Sequence, residues 1–251
     1  MTFWQCLAVF AAGIAGGGIN TVVGSGTLIT FPVLLTVGLP PVTANVSNTV
    51  GLFPGSLTGA WGYRAELAGL RTLVLRLASA SMLGAIGGAI LLLTLPAEAF
   101  NAIVPALIIL ALLLVVFGRK LNALLVAKTR HRPGAEVTVA LWVLTLFTGV
   151  YGGYFGAAQG ILLMGFFGVL LDLSLQRQNA VKNVLSGLVN LVAAVVFMFT
   201  AHVDWAAAGL IAAGSVIGGL LGARIGRRLP PAVLRGVIVV VGIVAVIKLL
   251  S

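Results

Sequence analysis

The chain contains two halves that resemble each other weakly, and this internal duplication limits the folds that it can adopt. Gly17-Gly18 recurs as Gly152-Gly153, and Asn48 corresponds to Asn183 at a separation of 135 residues. Further matches at a separation of 134 residues pair Ser81-Met82-Leu83-Gly84 with Ser215-Val216-Ile217-Gly218, and Leu95-Pro96-Ala97 with Leu229-Pro230-Pro231. Internally duplicated membrane proteins tend to form a binding site where the repeats meet.

The composition indicates that lipid surrounds most of the surface. Hydrophobic residues make up 60% of the chain and charged residues only 8%, against roughly 45–50% and 25% in soluble domains. A net charge of +10 is compatible with nucleic-acid binding, but the basic residues stand in short clusters between apolar runs. That arrangement is typical of cytoplasmic membrane loops and argues against a nucleic-acid partner.

Apolar runs between helix breakers predict five segments in each half. In the first half they are 3–19, 26–37, 42–61, 72–94 and 98–117, and in the second 137–155, 159–171, 178–200, 205–223 and 232–250. Three in each half are long enough to cross a bilayer, which takes about 20 helical residues. The second segment of each half is too short and follows a glycine-rich break, so the first two segments predict a broken or re-entrant hairpin.

The Lys and Arg residues indicate whether each hairpin returns to the face at which it began. If it returns, every one of them except Lys248 lies on the same side of the membrane. If it crosses, the last basic cluster moves to the other side, so the positive-inside rule favours the return. The predicted fold is an all-α integral membrane protein with two inverted-topology repeats. Each has a Gly-broken or re-entrant helix hairpin plus three transmembrane helices.

The same reasoning predicts the domain boundaries and the orientation. The first transmembrane repeat covers residues 1–118, a basic cytoplasmic linker covers 119–136, and the second repeat covers 137–251. Both termini are expected outside. Trp4, Trp61, Trp142 and Trp205 fall at predicted span ends, where interfacial aromatic residues are common.

Residues that could carry catalysis do not stand in the predicted spans. His131 and His202 lie in predicted loops, and all five carboxylates lie in or beside loops. Ser25 stands between two glycines, but no histidine within a span could activate it as a nucleophile. We therefore expect neither an enzyme nor a bound metal or cofactor.

Polar residues concentrate at the glycine-rich breaks and in the span that follows each break. The predicted pathway residues for a small anionic substrate are Asn20, Ser25, Asn45, Ser47, Asn48, Gln159, Lys182 and Asn183. One alternative is that they only join helices by hydrogen bonds. For Lys182, two readings stay open: its stem lies in lipid while its charge reaches the cytoplasmic face, or it points inward toward an anion. Amide, hydroxyl and ammonium donors beside helix N-termini suit a small oxyanion.

The residues 16–35, Gly-Gly-Gly-Ile-Asn-Thr-Val-Val-Gly-Ser-Gly-Thr-Leu followed by Phe-Pro-Val-Leu-Leu, resemble the first motif of a known family. The stretches 44–50 and 179–185 resemble its paired second motifs. The family is the sulfite exporter TauE/SafE family, of the toluene-sulfonate uptake permease group. The resemblance implies a multi-pass permease of the plasma (inner) membrane for sulfite or organosulfonates. Alternating access between the halves is the expected mechanism; the alternatives are an anion channel and a non-transporting membrane assembly subunit.

Overall fold

The computed structural model describes residues 1–128, 137–225 and 240, and the regular elements among them are helical. Within residues 1–128 and 137–225 the α-helices are α1 (Phe3–Val22), α2 (Thr27–Thr36), α3 (Pro41–Gly62), α4 (Arg71–Thr94), α5 (Ala97–Lys128), α6 (Val139–Tyr154), α7 (Gln159–Leu170), α8 (Leu175–Thr200) and α9 (Trp205–Ile225). A short 3₁₀ helix, Arg64–Leu67, joins α3 to α4. Of the predicted segment 232–250, all residues but Val240 lie outside the described residues.

Five of the described helices are long and apolar enough to cross a membrane: Phe3–Val22, Arg71–Thr94, Glu98–Phe117, Leu175–Thr200 and Trp205–Arg224. Although α3 has 22 residues, enough to span about 30 Å at 1.5 Å per residue, it is absent from this group. Its first turns carry amide and hydroxyl side chains, among them Asn45 and Asn48, that lower its hydropathy.

The fifth helix extends further than the sequence pattern predicts. α5 continues to Lys128, so the first part of the 119–136 stretch expected as a linker is helical. The physical reason is local: after Gly118 the stretch contains leucine, alanine and lysine, all good helix formers, and no proline interrupts it before residue 128.

The two glycine-rich breaks are built alike. After α1, Gly24 turns the chain at a φ of 85° and its amide donates to the Ile19 carbonyl at 3.1 Å. After α6, Gly156 has a φ of 75° and its amide donates to the Tyr151 carbonyl at 3.0 Å. Both glycines occupy the left-handed region that other residues rarely adopt, which is why the helix stops at each of them.

Helix α2 returns the chain to the end of the bundle at which α1 begins. α1 and α3 run in the same direction, because Gly16 lies against Leu52 and Asn20 donates to Ser56 one turn further along both helices. The chain must therefore reverse between them. α2 makes this return beside the first half of α3, where Asn48 contacts Thr27.

Each half packs its first helix along the fourth helix of the other half. α1 lies parallel to α9, with Gly17 against Ser215, and α6 lies parallel to α4, with Gly153 against Ala85. A Cβ at Gly17 would come within 2.4 Å of the Ser215 carbonyl oxygen. Small residues therefore allow backbone-to-backbone approach at both interfaces, as is common between helices in lipid.

The long helices that follow the breaks, α3 and α8, run antiparallel. At one end Ser47 of α3 accepts a hydrogen bond from the Asp204 amide, just after α8. At the other end Arg177 of α8 donates to the Ala68 carbonyl, just after α3. We call this second end the basic end. Arg64 begins the 3₁₀ helix there, and α9 reaches the same end because Ala223 lies against Gly62.

Candidate functional site

The two breaks touch each other inside the molecule, at buried glycines. The Gly160 amide, at the start of α7, donates to the Gly24 carbonyl at 3.0 Å. A Cβ added to Gly24 would lie 2.4 Å from the Gly160 Cα, and one added to Gly160 would lie 2.5 Å from the Gly24 Cα. The crossing therefore requires that neither residue has a side chain.

Lys182 of α8 is fully buried beside this crossing. Its Nζ donates to the carbonyls of Asn20 and Thr21 at 3.0 Å each. Both carbonyls belong to the last turn of α1, where a helix carries partial negative charge. The Lys182 stem passes along Gly160, because a Cβ there would lie 2.7 Å from the lysine Cδ. With 0% of its surface exposed, the side chain does not lie in lipid, and the snorkelling interpretation is wrong.

The broken helices are capped reciprocally by amide side chains of the opposite half. Asn45 of α3 donates to the Tyr154 carbonyl, the last residue of α6, at 2.9 Å. Asn179 of α8 donates to the Thr21 carbonyl near the end of α1 at 3.4 Å. These hydrogen bonds relate Asn45 to Asn179, a separation of 134 residues, the spacing that also relates Ser81 to Ser215.

The polar residues of α8 share one face of the helix. Asn179, Asn183, Ser186 and Asn190 follow each other at intervals of three or four residues, the spacing of neighbours on one helix face. Lys182 stands three residues after Asn179 and four before Ser186, so it lies on the same side of the helix. This face lies against the end of α1 and against Gly160, because Lys182 contacts both. The side chains of Asn183 and Ser186 are buried.

Several buried polar atoms at the breaks and on α8 have no hydrogen-bond partner among the described residues. They are Ser25 Oγ, Asn45 Oδ1, Tyr154 Oη, Gln159 Nε2, Asn179 Oδ1, Asn183 Nδ2 and Ser186 Oγ. A further one, Ser81 Oγ, lies on α4. Buried polar groups are normally paired, and each exception calls for an explanation. These unpartnered atoms concentrate at the breaks and on the polar face of α8, and this region is the candidate site.

The electrostatics of this region come from helix ends and one side chain. α1 and α6 end at the breaks and α2 and α7 begin there, so partial charges of both signs meet. The amino group of Lys182 adds a positive charge there when it is protonated. An ammonium group has three N–H donors, and two of those on Lys182 bond backbone carbonyls. Within the described parts of the chain, no carboxylate forms an ion pair with Lys182.

Other candidate residues make contacts that explain their presence without a ligand. Asn20 donates to Ser56 Oγ at 3.0 Å, and Asn190 donates to the same atom at 2.9 Å. Asn48 contacts two threonines of α2, accepting from Thr30 and donating to Thr27.

The eight predicted residues therefore separate into groups. Around the breaks the structure brings together Asn20, Ser25, Gln159, Lys182 and, at the end of α6, Asn45; Asn183 follows Lys182 on the same helix. Gln159 packs against Gly152. Ser47 instead contacts the α8–α9 connection and Asn48 contacts α2, so both bond to structural partners.

Sequence reasoning missed several residues of the site. Asn179 would have been found by applying the 134-residue spacing to Asn45. Ser186 continues the three-to-four residue spacing from Lys182 and Asn183, so its helix face was predictable. Tyr154 had no comparable signal, because its position depends on how α6 ends.

A family model described as "Sulfite exporter TauE/SafE" matches residues 9–249 of the chain. The "Probable membrane transporter protein ORF9" of a Sinorhizobium species is 31% identical over 255 residues, which cover 100% of this chain and 94% of the relative. A "Probable membrane transporter protein" of Haemophilus influenzae is 26% identical over 242 residues, 96% of this chain and 92% of the relative. The "Probable membrane transporter protein YfcA" of Escherichia coli K12 is 26% identical over 243 residues, 96% and 88% of the two chains. No solved structure matches the chain.

Proposed function

Because the chain belongs to the sulfite exporter TauE/SafE family and is a membrane transporter, we propose that it carries small sulfur-containing oxyanions across the plasma membrane by alternating access. The names of the family and of the relatives indicate a transporter rather than an enzyme. The observation that carries the proposal is the buried Lys182 beside unpartnered polar atoms where the two breaks cross.

The choice of an anion follows from the chemistry of these groups. Asn183 Nδ2 and Gln159 Nε2 are donors without acceptors, and the hydroxyl groups of Ser25 and Ser186 can also donate. A small oxyanion supplies several acceptor oxygens and one charge opposite to that of Lys182. Sulfur enters the proposal through the family name alone.

Alternating access requires two halves that can exchange roles, and we propose that they form inverted repeats. The antiparallel α3 and α8 and the reciprocal caps of Asn45 and Asn179 support this arrangement. In inverted repeats, one half rocks against the other around a fixed central site. We propose the crossing of Gly24 and Gly160 as the position of that site, because the two halves touch there.

A pair of isosteric variants tests whether the unpartnered atoms serve a ligand. Asn183→Leu removes a buried donor that bonds to nothing, so we expect unchanged or higher thermal stability together with reduced uptake. Asn190→Leu removes a donor that Ser56 accepts, so we expect its stability to fall by about 0.5–1.5 kcal/mol. Thermal unfolding in detergent and uptake into proteoliposomes give the two readouts.

Uptake of labelled sulfite and organosulfonates by proteoliposomes tests the function itself. We expect saturable uptake that unlabelled substrate inhibits, without single-channel current in a planar bilayer. Discrete current steps would assign the chain to the anion channels. If Asn183→Leu loses stability without losing uptake, the residue serves packing and the proposed site is wrong.

A further inference from the structure

We propose that this transporter selects oxyanions with one negative charge over oxyanions of similar shape with two. The inference rests on the proposed function and concerns the same site. The reason is that the described groups around Lys182 can neutralise only one negative charge on a bound anion.

Lys182 is the one fully buried cationic side chain in the described part of the chain. Its hydrogen-bond partners, the carbonyls of Asn20 and Thr21, are neutral groups. The residues beside it are neutral too: Gly160 packs on its stem, and Asn183 adjoins it on α8. Among the described residues, no other formal charge therefore neutralises the ammonium form of Lys182.

A buried charge is costly unless an opposite charge pairs with it. A singly charged anion beside Lys182 forms a pair without net charge, and the attraction between the two charges offsets the cost of desolvating them. A doubly charged anion leaves one negative charge without a partner. The unpartnered side-chain donors offer hydrogen bonds, but they carry no formal charge with which to balance it.

Two further features oppose a second negative charge. The unpartnered oxygens Asn45 Oδ1 and Asn179 Oδ1 are acceptors and carry partial negative charge. The C-terminal ends of α1 and α6, which these two asparagines cap, carry partial negative charge as well. A hydroxyl group or an apolar group on the substrate tolerates these neighbours better than a charged oxygen does.

Methanesulfonate and sulfate form a matched pair for the test, because both are small and tetrahedral and one methyl group replaces one charged oxygen. Each is added as competitor during uptake of labelled sulfite by proteoliposomes of the full chain, at equal ionic strength. Competition is preferable to thermal stabilisation here, because sulfate stabilises folded proteins without binding a site. We expect methanesulfonate to inhibit at a concentration at least about tenfold lower, a difference of about 1.4 kcal/mol.

Two variants of α8 test whether the selectivity depends on the buried charge. Lys182→Met keeps the length of the stem and removes the ammonium, so we expect the preference for methanesulfonate to disappear. Arg177→Met removes a positive charge from the same helix at the basic end, and we expect the preference to remain. If Lys182→Met does not fold, the comparison of the two anions on the unaltered protein decides alone.

Equal inhibition by the two anions, or stronger inhibition by sulfate, overturns the inference and leaves transport in place. Failure of both to inhibit measurable sulfite uptake overturns it as well. If no sulfur oxyanion is taken up, the proposed function is wrong, and the inference fails with it.

Discussion

At the scale of single residues, the site depends on two glycines and one lysine. Gly24 and Gly160 permit the breaks to touch, and Lys182 joins α8 to the end of α1. Removal of any of these three changes a contact between the two halves. Their roles are distinct. The glycines leave room for the two backbones to touch, whereas the lysine provides a polar group that can be charged.

Gly24→Ala and Gly38→Ala separate the effect of contact from that of backbone conformation. Both residues have positive φ, 85° and 95°, which costs alanine about 1–2 kcal/mol. A Cβ at Gly38 meets nothing within 4 Å, whereas one at Gly24 would collide with Gly160. Overpacking adds about 1–3 kcal/mol at Gly24. We expect a clearly lower unfolding temperature for Gly24→Ala than for Gly38→Ala, and equal temperatures would show that the breaks do not touch.

At the scale of helices, the halves are joined at both ends of the α3–α8 pair. Asp204 and Ser47 make the contact at one end, and Arg177 makes it at the basic end. The Arg177 guanidinium donates to the carbonyls of Ala68 at 2.6 Å and Glu66 at 3.4 Å. Each contact joins a helix or loop of one half to the other half, so movement of the halves must alter at least one of them.

Arg177→Ala should weaken the contact between the halves at the basic end. We expect a loss of about 1–2 kcal/mol in the free energy of unfolding, because hydrogen bonds from charged groups are stronger than neutral ones and this side chain is only half-buried. Arg64→Ala is the control. It removes an exposed charge near the same end whose contacts, with the ring and the carbonyl of Trp61, stay within the first half. Equal losses in the two variants would refute a special role for Arg177.

At the scale of the whole molecule, the directions of the helices predict which connections share a side of the membrane. α3 ends and α8 begins at the basic end, whereas α5 begins and α8 ends at the opposite end. The positive-inside rule assigns the basic end to the cytoplasm. On this assignment we expect the two halves to have opposite orientations in the bilayer.

Single cysteines in a Cys6→Ser background test this arrangement. Ala65→Cys and Leu175→Cys are exposed at the basic end, and Glu98→Cys and His202→Cys are exposed at the other. We expect a membrane-impermeant maleimide to label the second pair in intact cells and the first pair only after permeabilisation. Labelling of Ala65→Cys and Leu175→Cys from opposite sides would contradict the inverted arrangement.

The sequence by itself determined the class of protein, the positions of the described long helices and the places where they break. These features depend on local hydropathy and on residues such as Gly24, whose conformational freedom acts within one turn. It also predicted Asn20, Gln159 and Lys182 as pathway residues, because polar side chains are costly in lipid. Only the tertiary structure decided that Lys182 caps α1 and that Ser47 contacts the α8–α9 connection. Those partners lie more than a hundred residues away, and hydropathy and periodicity contain no information on which distant groups will meet.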